Sequence, residues 1–131
     1  MTKGHCLCGA VAYAAGGAPN WVSHCHCSSC RRNSGAAVAT FVSFPLSEFT
    51  VTKGALSDYE SSPGVIRSFC NKCGSPMTYR SKIMPTEVHV FLGSLENPEE
   101  FPVQFQVFCA EKLPWLSIDD QIPKFDAIPG Q

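Results

Sequence analysis

The chain has 131 residues, 44% of them apolar, which suffices for one domain with a hydrophobic core and leaves little for a second. Its 10 basic and 11 acidic residues leave a formal net charge of −1 without a run of either sign, which excludes the electrostatic footprint of a nucleic-acid or anionic-membrane binder. No stretch approaches the roughly 18 apolar residues of a membrane span, and the opening "MTKGHCLCGAVAYAAGG" lacks the apolar segment of a secretory signal, so a cytoplasmic location is expected.

In that reducing compartment, eight cysteines read as metal ligands or catalytic thiols; a disulfide framework is the alternative in an oxidising one. The first two, Cys6 and Cys8, sit in "GHCLCG", where side chains two apart converge if the backbone turns or lies extended with alternate residues on one face. The strand "AVAY" follows, then the turn "GGAPN". Next comes "HCHCSSCRRNSG", which places Cys25, Cys27 and Cys30 within six residues. An extended backbone through Cys25 and Cys27 puts their sulfurs on one face and His24 and His26 on the other, and Ser28 is placed to cap a short helix over "SSCRRNSG".

Further strands are read in "AVATFVSF", "FTVT", "VIRSF", "EVHVFL" and "VQFQVF", separated by the turn signals "TKG", "SSPG" and "ENPEEFP". That succession suits an all-β architecture better than βαβ units. Between the third and fourth of these strands stands "CNKCG", with Cys70, Cys73 and a glycine whose positive φ lets backbone N–H groups face two thiolates. Cys109, in "FQVFCA", alternates with Phe105 and Val107 and reads as a buried, inert thiol, and His89 reads as structural. The tail "IDDQIPKFDAIPGQ" is either an arm laid over the domain or a fraying end.

Structural zinc takes four ligands in a tetrahedron, so the two pairs Cys6, Cys8, Cys70 and Cys73 complete one site. Cys25, Cys27 and Cys30 supply three thiolates to a second and leave one vertex, the arrangement of a catalytic zinc. The alternative is a second closed site in which His5, Cys109 or another residue supplies the fourth ligand.

These clusters are similar to those of the glutathione-dependent formaldehyde-activating enzymes, a family that includes the centromere protein V domain. "GHCLCGAVAY" resembles its opening Gly-x-Cys-x-Cys-Gly strand, "CHCSSCRRNSGA" its Cys-x-Cys-x-x-Cys-Arg segment, and "RSFCNKCGSPM" its Arg-x-Phe-Cys-x-x-Cys-Gly loop. "LGSLENP" and "EKLPW" look like its Gly-Ser-Leu-Asp-x-Pro and Lys-x-x-Trp features, with Glu96 where an aspartate is common and Gln106 where relatives carry a histidine. The resemblance implies a mainly β, zinc-stabilised β-tent (Mss-four-like) domain of short antiparallel sheets over residues 1–131. It also implies a structural zinc on Cys6, Cys8, Cys70 and Cys73 and a more labile one on Cys25, Cys27 and Cys30.

The activity implied is that of a carbon–sulfur lyase: a small thiol, glutathione by resemblance, adds to formaldehyde or a related small aldehyde at the three-cysteine zinc. Arg31 and Arg32, directly after the triplet, are the nearest cations for the carboxylates of such a thiol. The competing classes are a non-catalytic zinc module that binds a protein partner or carries a small thiol, and a redox-responsive zinc store. A homodimer is the default assembly on symmetry grounds.

Overall fold

The computed structural model describes residues 1–118 and 121–130, so Asp119, Asp120 and Gln131 of the tail lie outside the described residues. The described residues form ten strands and one short α-helix, besides 3-10 turns: β1 (Thr2–His5), β2 (Ala12–Ala15), β3 (Trp21–Cys25), α1 (Ser28–Ser34), β4 (Ala39–Pro45), β5 (Phe49–Lys53), β6 (Ser57–Ser62), β7 (Val65–Phe69), β8 (Pro76–Ser81), β9 (Glu87–Phe91) and β10 (Phe105–Val107). They build a three-stranded sheet in the order β1-β2-β5 and a seven-stranded sheet in the order β10-β3-β4-β9-β8-β7-β6.

Among the described residues the strands pair antiparallel apart from β10, which runs parallel to β3 with Phe105 beside Ser23 and Val107 beside Cys25, and which meets Lys124 of the tail in a parallel bridge at Gln106. The expected mainly β domain of short antiparallel sheets is what forms, with β10 added as a parallel edge strand. A parallel neighbour requires a long crossover, and the chain between β3 and β10 supplies one in the rest of the domain.

The central strands β3, β4 and β9 of the larger sheet are largely buried on both faces, and alternation along them sorts two cores. Val22, Val42, Phe44, Val88 and Val90 point toward the small sheet, where they pack with Tyr13, Ala15 and Cys6. Cys25, Ala39, Phe41 and Phe91 point the other way, with Trp21, Tyr79, Val107 and Phe108 packed around them. The run "AVATFVSF" has no polar side because neither of its faces meets water.

The tail crosses the second face as an arm. Pro123 O accepts from Gln106 N–H at 2.9 Å, Phe125 N–H donates to Gln106 O at 3.0 Å, and Phe108 N–H donates to Ala127 O at 2.9 Å. Phe125 meets Phe105 edge-on at 6.0 Å. Cys109 does not continue the strand: Phe108 takes a positive φ of 54°, and Cys109 begins a 3-10 turn, half-buried rather than in the core.

Gly54 marks where the end of β5 is drawn tight against the start of β2 within the small sheet. Its φ is +68°, and a Cβ there would overlap the carbonyl oxygen of Ala10, in the loop that follows Cys8. Gly54→Ala is expected to cost about 1–3 kcal/mol, because strain and overlap add, whereas Gly93→Ala, with open space around its Cβ position, should stay within roughly 0.5 kcal/mol of wild type. Urea denaturation midpoints of the two variants make the comparison.

Candidate metal centres

The turn joining β1 to β2 and the turn joining β7 to β8 are built alike. Cys6 N–H donates to Val11 O and Gly9 N–H to Cys6 O; Cys70 N–H donates to Ser75 O and Gly74 N–H to Cys70 O. Gly9 and Gly74 hold φ at 77° and 76°, the left-handed conformation that such a knuckle requires. The two turns face each other, with Leu7 N–H donating to Ser75 Oγ across the gap at 3.0 Å.

Cys6, Cys8, Cys70 and Cys73 thereby converge, their sulfurs all within 4.8 Å of one another. Cys6 Sγ lies 3.7 Å from Cys8 Sγ, and Cys8 Sγ 3.8 Å from Cys70 Sγ. Four sulfurs each about 2.3 Å from a tetrahedral ion stand about 3.8 Å apart, so this quartet fits a metal ion without rearrangement. Val11 N–H donates to Cys6 Sγ at 3.3 Å, and the Ser75 hydroxyl, 3.2 Å from Cys73 Sγ, helps to hold that thiol at a pKa of about 5. Donors aimed at sulfur favour the thiolate, the form that binds metal.

The second cluster stands where β3 gives way to α1. Cys25 ends the strand; Cys27, at φ −63° and ψ 146°, is the N-cap of the helix; Cys30 lies in its first turn. Cys27 takes the capping role expected of Ser28, because its sulfur accepts from Cys30 N–H at 3.3 Å while Ser28 is already helical. The three sulfurs lie within 4.8 Å of one another, Cys25 and Cys30 at 3.4 Å, and among the described residues no further His, Cys, Asp or Glu donor joins them.

His5 donates from Nδ1 to Cys6 O at 2.8 Å and Cys109 sits in its own turn, so neither joins the triplet. His24 shares a 2.8 Å hydrogen bond with Thr40, and His26, fully buried, donates from Nε2 to Gln106 Oε1 at 2.7 Å. Gln106, the position where relatives carry histidine, thus packs behind the triplet as the partner of a buried imidazole. Contacts from the Cys25 and Cys30 sulfurs, together with the helix N–H and the charge of Arg67, push the Cys27 thiol far below its ordinary pKa; the Cys25 thiol, beside Cys27 and Cys30, is pushed up.

Arg31 and Arg32 part company on α1. The Arg31 guanidinium donates to the carbonyls of His26 and Glu111, both at 2.6 Å, while Arg32 is exposed. Glu111 also accepts from Ser28 N–H at 3.1 Å, so "EKLPW" anchors the helix that carries Cys30.

The residue that sequence reasoning missed is Arg67. It is buried at 7% exposure on β7, with Nη1 and Nη2 at 3.7 and 3.8 Å from Cys30 Sγ. Its Nε donates to Ser61 Oγ at 3.0 Å, and its guanidinium lies 5.1 Å from the centre of the Tyr79 ring. The signal was present in "VIRSF", an arginine inside an otherwise apolar strand just ahead of "CNKC". His89 is paired as well, donating from Nε2 to Glu87 Oε1 at 3.0 Å, and burial lowers its pKa.

Among known families, the model described as glutathione-dependent formaldehyde-activating enzyme matches residues 1–111. No curated protein matches the chain. A crystal structure of a Rhodobacter sphaeroides protein has a similar fold, with a TM-score of 0.61 and 24% identity over 93% of this chain and 98% of that one.

The two clusters should separate on mutation. Native mass spectrometry is expected to find two metal ions, with Cys27→Ser losing one and remaining folded. Cys73→Ser should lower Tm by roughly 10 °C or more, as loss of ~3 kcal/mol does in a domain of this size; a parent protein holding one ion would sink the two-site assignment. Arg67→Gln should weaken retention of the second ion about 10-fold or more against a chelator, the scale seen when a group orienting a ligand is removed.

Proposed function

The chain belongs to the glutathione-dependent formaldehyde-activating enzyme family, and from that premise we propose that it is a zinc-dependent carbon–sulfur lyase that joins a small thiol to a small aldehyde. Both clusters are all-thiolate donor sets, which favour soft and borderline ions such as zinc over the hard cations that prefer oxygen. We assign the structural zinc to Cys6, Cys8, Cys70 and Cys73 and the second zinc to Cys25, Cys27 and Cys30. When bound there, zinc supplies positive charge that lowers the pKa of an incoming thiol.

The observation that carries this reading is the incomplete donor set: three sulfurs converge and no fourth protein ligand joins them among the described residues. The triplet itself lies beside a buried arginine and at the N-cap of a helix. Arg67 lends positive charge to the cluster through Cys30, and Cys27, held by the Cys30 N–H, keeps its sulfur turned to the centre. An anionic thiolate entering here is stabilised by the same groups that stabilise the cysteines. Its sulfur adds to the aldehyde carbon, a carbon–sulfur bond forms, and the carbonyl oxygen takes up the proton that the thiol released. The reverse step breaks the same bond. Arg32, exposed on α1, is the arginine we place against a glutathione carboxylate, since Arg31 already holds two carbonyls.

Exchange between free aldehyde and its thiol adduct, followed by NMR in a mixture of formaldehyde and glutathione at equilibrium, tests the proposal. Wild type should speed exchange about tenfold or more over buffer, and Cys27→Ser should return it to the uncatalysed rate. Equal exchange with both proteins removes the triplet from the chemistry and leaves a non-catalytic zinc module.

A further inference from the structure

Alongside the triplet lies a cavity of about 400 Å³ that the reading above does not use. Its floor is the second face of the large sheet: Trp21, Ser23 and Cys25 at alternate positions of β3, with Phe41 and Phe105 on the flanking strands β4 and β10 and His89 on β9 beyond β4. Tyr79 closes one side, stacked on His89 at 5.3 Å and 18°, and Trp21 meets His89 edge-on at 4.5 Å. The mouth is narrowed by Ile83 after β8 and by Ile128 of the C-terminal arm.

No Asp, Glu, Lys or Arg lines this space among the described residues. A molecule carrying two carboxylates and an ammonium, as glutathione does, would lose its hydration there without a counter-charge, a desolvation cost that aromatic walls do not return. The cavity therefore suits the uncharged reactant. Formaldehyde, with two heavy atoms, fills only a small part of it; a cavity of ~150 Å³ with apolar walls already holds benzene. Aromatic walls favour an aromatic guest through stacked and edge-on contacts worth about 0.5–1.5 kcal/mol each beyond area burial.

We propose, on the basis of the thiol–aldehyde reading, that this cavity binds the ring of an aromatic aldehyde and presents its carbonyl toward Cys25 and the rest of the triplet. The register sets the scale of the site. Cys25 pairs with Ala39, and His89 pairs with Ser43 four residues further along β4, so the two residues stand about 13 Å apart along the strands and about 10 Å apart across them. A ring lies between the two ends, with its aldehyde group at the sulfur end and His89 beyond its far edge. The thiolate sulfur adds to the carbonyl carbon, the π pair moves to oxygen, and oxygen takes the proton given up by the thiol, yielding the aryl hemithioacetal with no other reactant.

Benzyl alcohol, which keeps the ring and cannot form the adduct, separates binding from chemistry. In ligand-observed saturation-transfer NMR, wild type and Cys27→Ser should both give transfer to the ring protons. Ser23→Phe, which fills the cavity, and Trp21→Ala, which removes a half-buried wall, should each reduce it about fivefold or more while near-ultraviolet circular dichroism shows a folded protein. In the exchange assay with glutathione, benzaldehyde should be accelerated more than formaldehyde by wild type, and Ser23→Phe should abolish that preference. Absence of transfer in wild type, or equal transfer in all four proteins, overturns the cavity's assignment. Benzyl alcohol binding with neither aldehyde accelerated instead overturns the thiol–aldehyde reading and, with it, the aldehyde as occupant.

Discussion

Everything else in this fold depends on two turns, more than sixty residues apart in sequence, meeting at four sulfurs. Cys8 Sγ and Cys70 Sγ come to 3.8 Å across a separation of 62 residues, and the chain between them builds α1 and most of both sheets. Closing so long a loop is entropically costly, and a metal ion bound only by the folded arrangement of four thiolates would offset that cost. The meeting also fixes which face of the large sheet the small one covers. Leu7 N–H finds Ser75 Oγ across the gap because the knuckles hold the two turns together.

Once one face is covered by β1, β2 and β5, the other must be closed by something, and no third sheet is present among the described residues. The helix α1, the parallel strand β10 and the C-terminal arm do it instead. Because that covering is made of short pieces, it leaves a cavity and a half-exposed sulfur, Cys27, where a third sheet would have sealed the surface. Order on one side of the sheet and access on the other both follow from the clamp.

How much of this could be read from the residues depends on what each pattern encodes. The cysteine spacings were fully legible, since Cys-x-x-Cys-Gly needs no tertiary information to form a knuckle, and both clusters assemble as expected. Strands written in β-branched and aromatic residues were legible too. Those missed were β1 (TKGH), β3 (WVSHC), β6 (SDYESS) and β8 (PMTYRS), where polar residues or a leading proline hide the alternation and pairing with a neighbour decides the conformation. Cys27 displaced Ser28 as the helix cap because a sulfur drawn into the cluster stands where a cap must stand. Arg67 and the pairing of Gln106 with His26 were hidden for a different reason: each depends on strands that meet only in the tertiary fold.

The electrostatics of the triplet explain why a charge belongs at Arg67. Three thiolates around a divalent ion sum to −1, and a buried net charge costs several kcal/mol unless something nearby opposes it. Among the described residues, no carboxylate forms an ion pair with Arg67; its guanidinium reaches Cys30 Sγ, the Ser61 hydroxyl, the Asn33 side chain and the face of Tyr79. An arginine buried at 7% exposure without a carboxylate is as poorly compensated as the thiolates would be without it, so the two charges hold each other inside. Under the proposed reading, a fourth, anionic ligand would add a second negative charge to the same pocket; that charge would limit how tightly a thiolate is held and leave it more of the nucleophilicity that attack on a carbonyl requires.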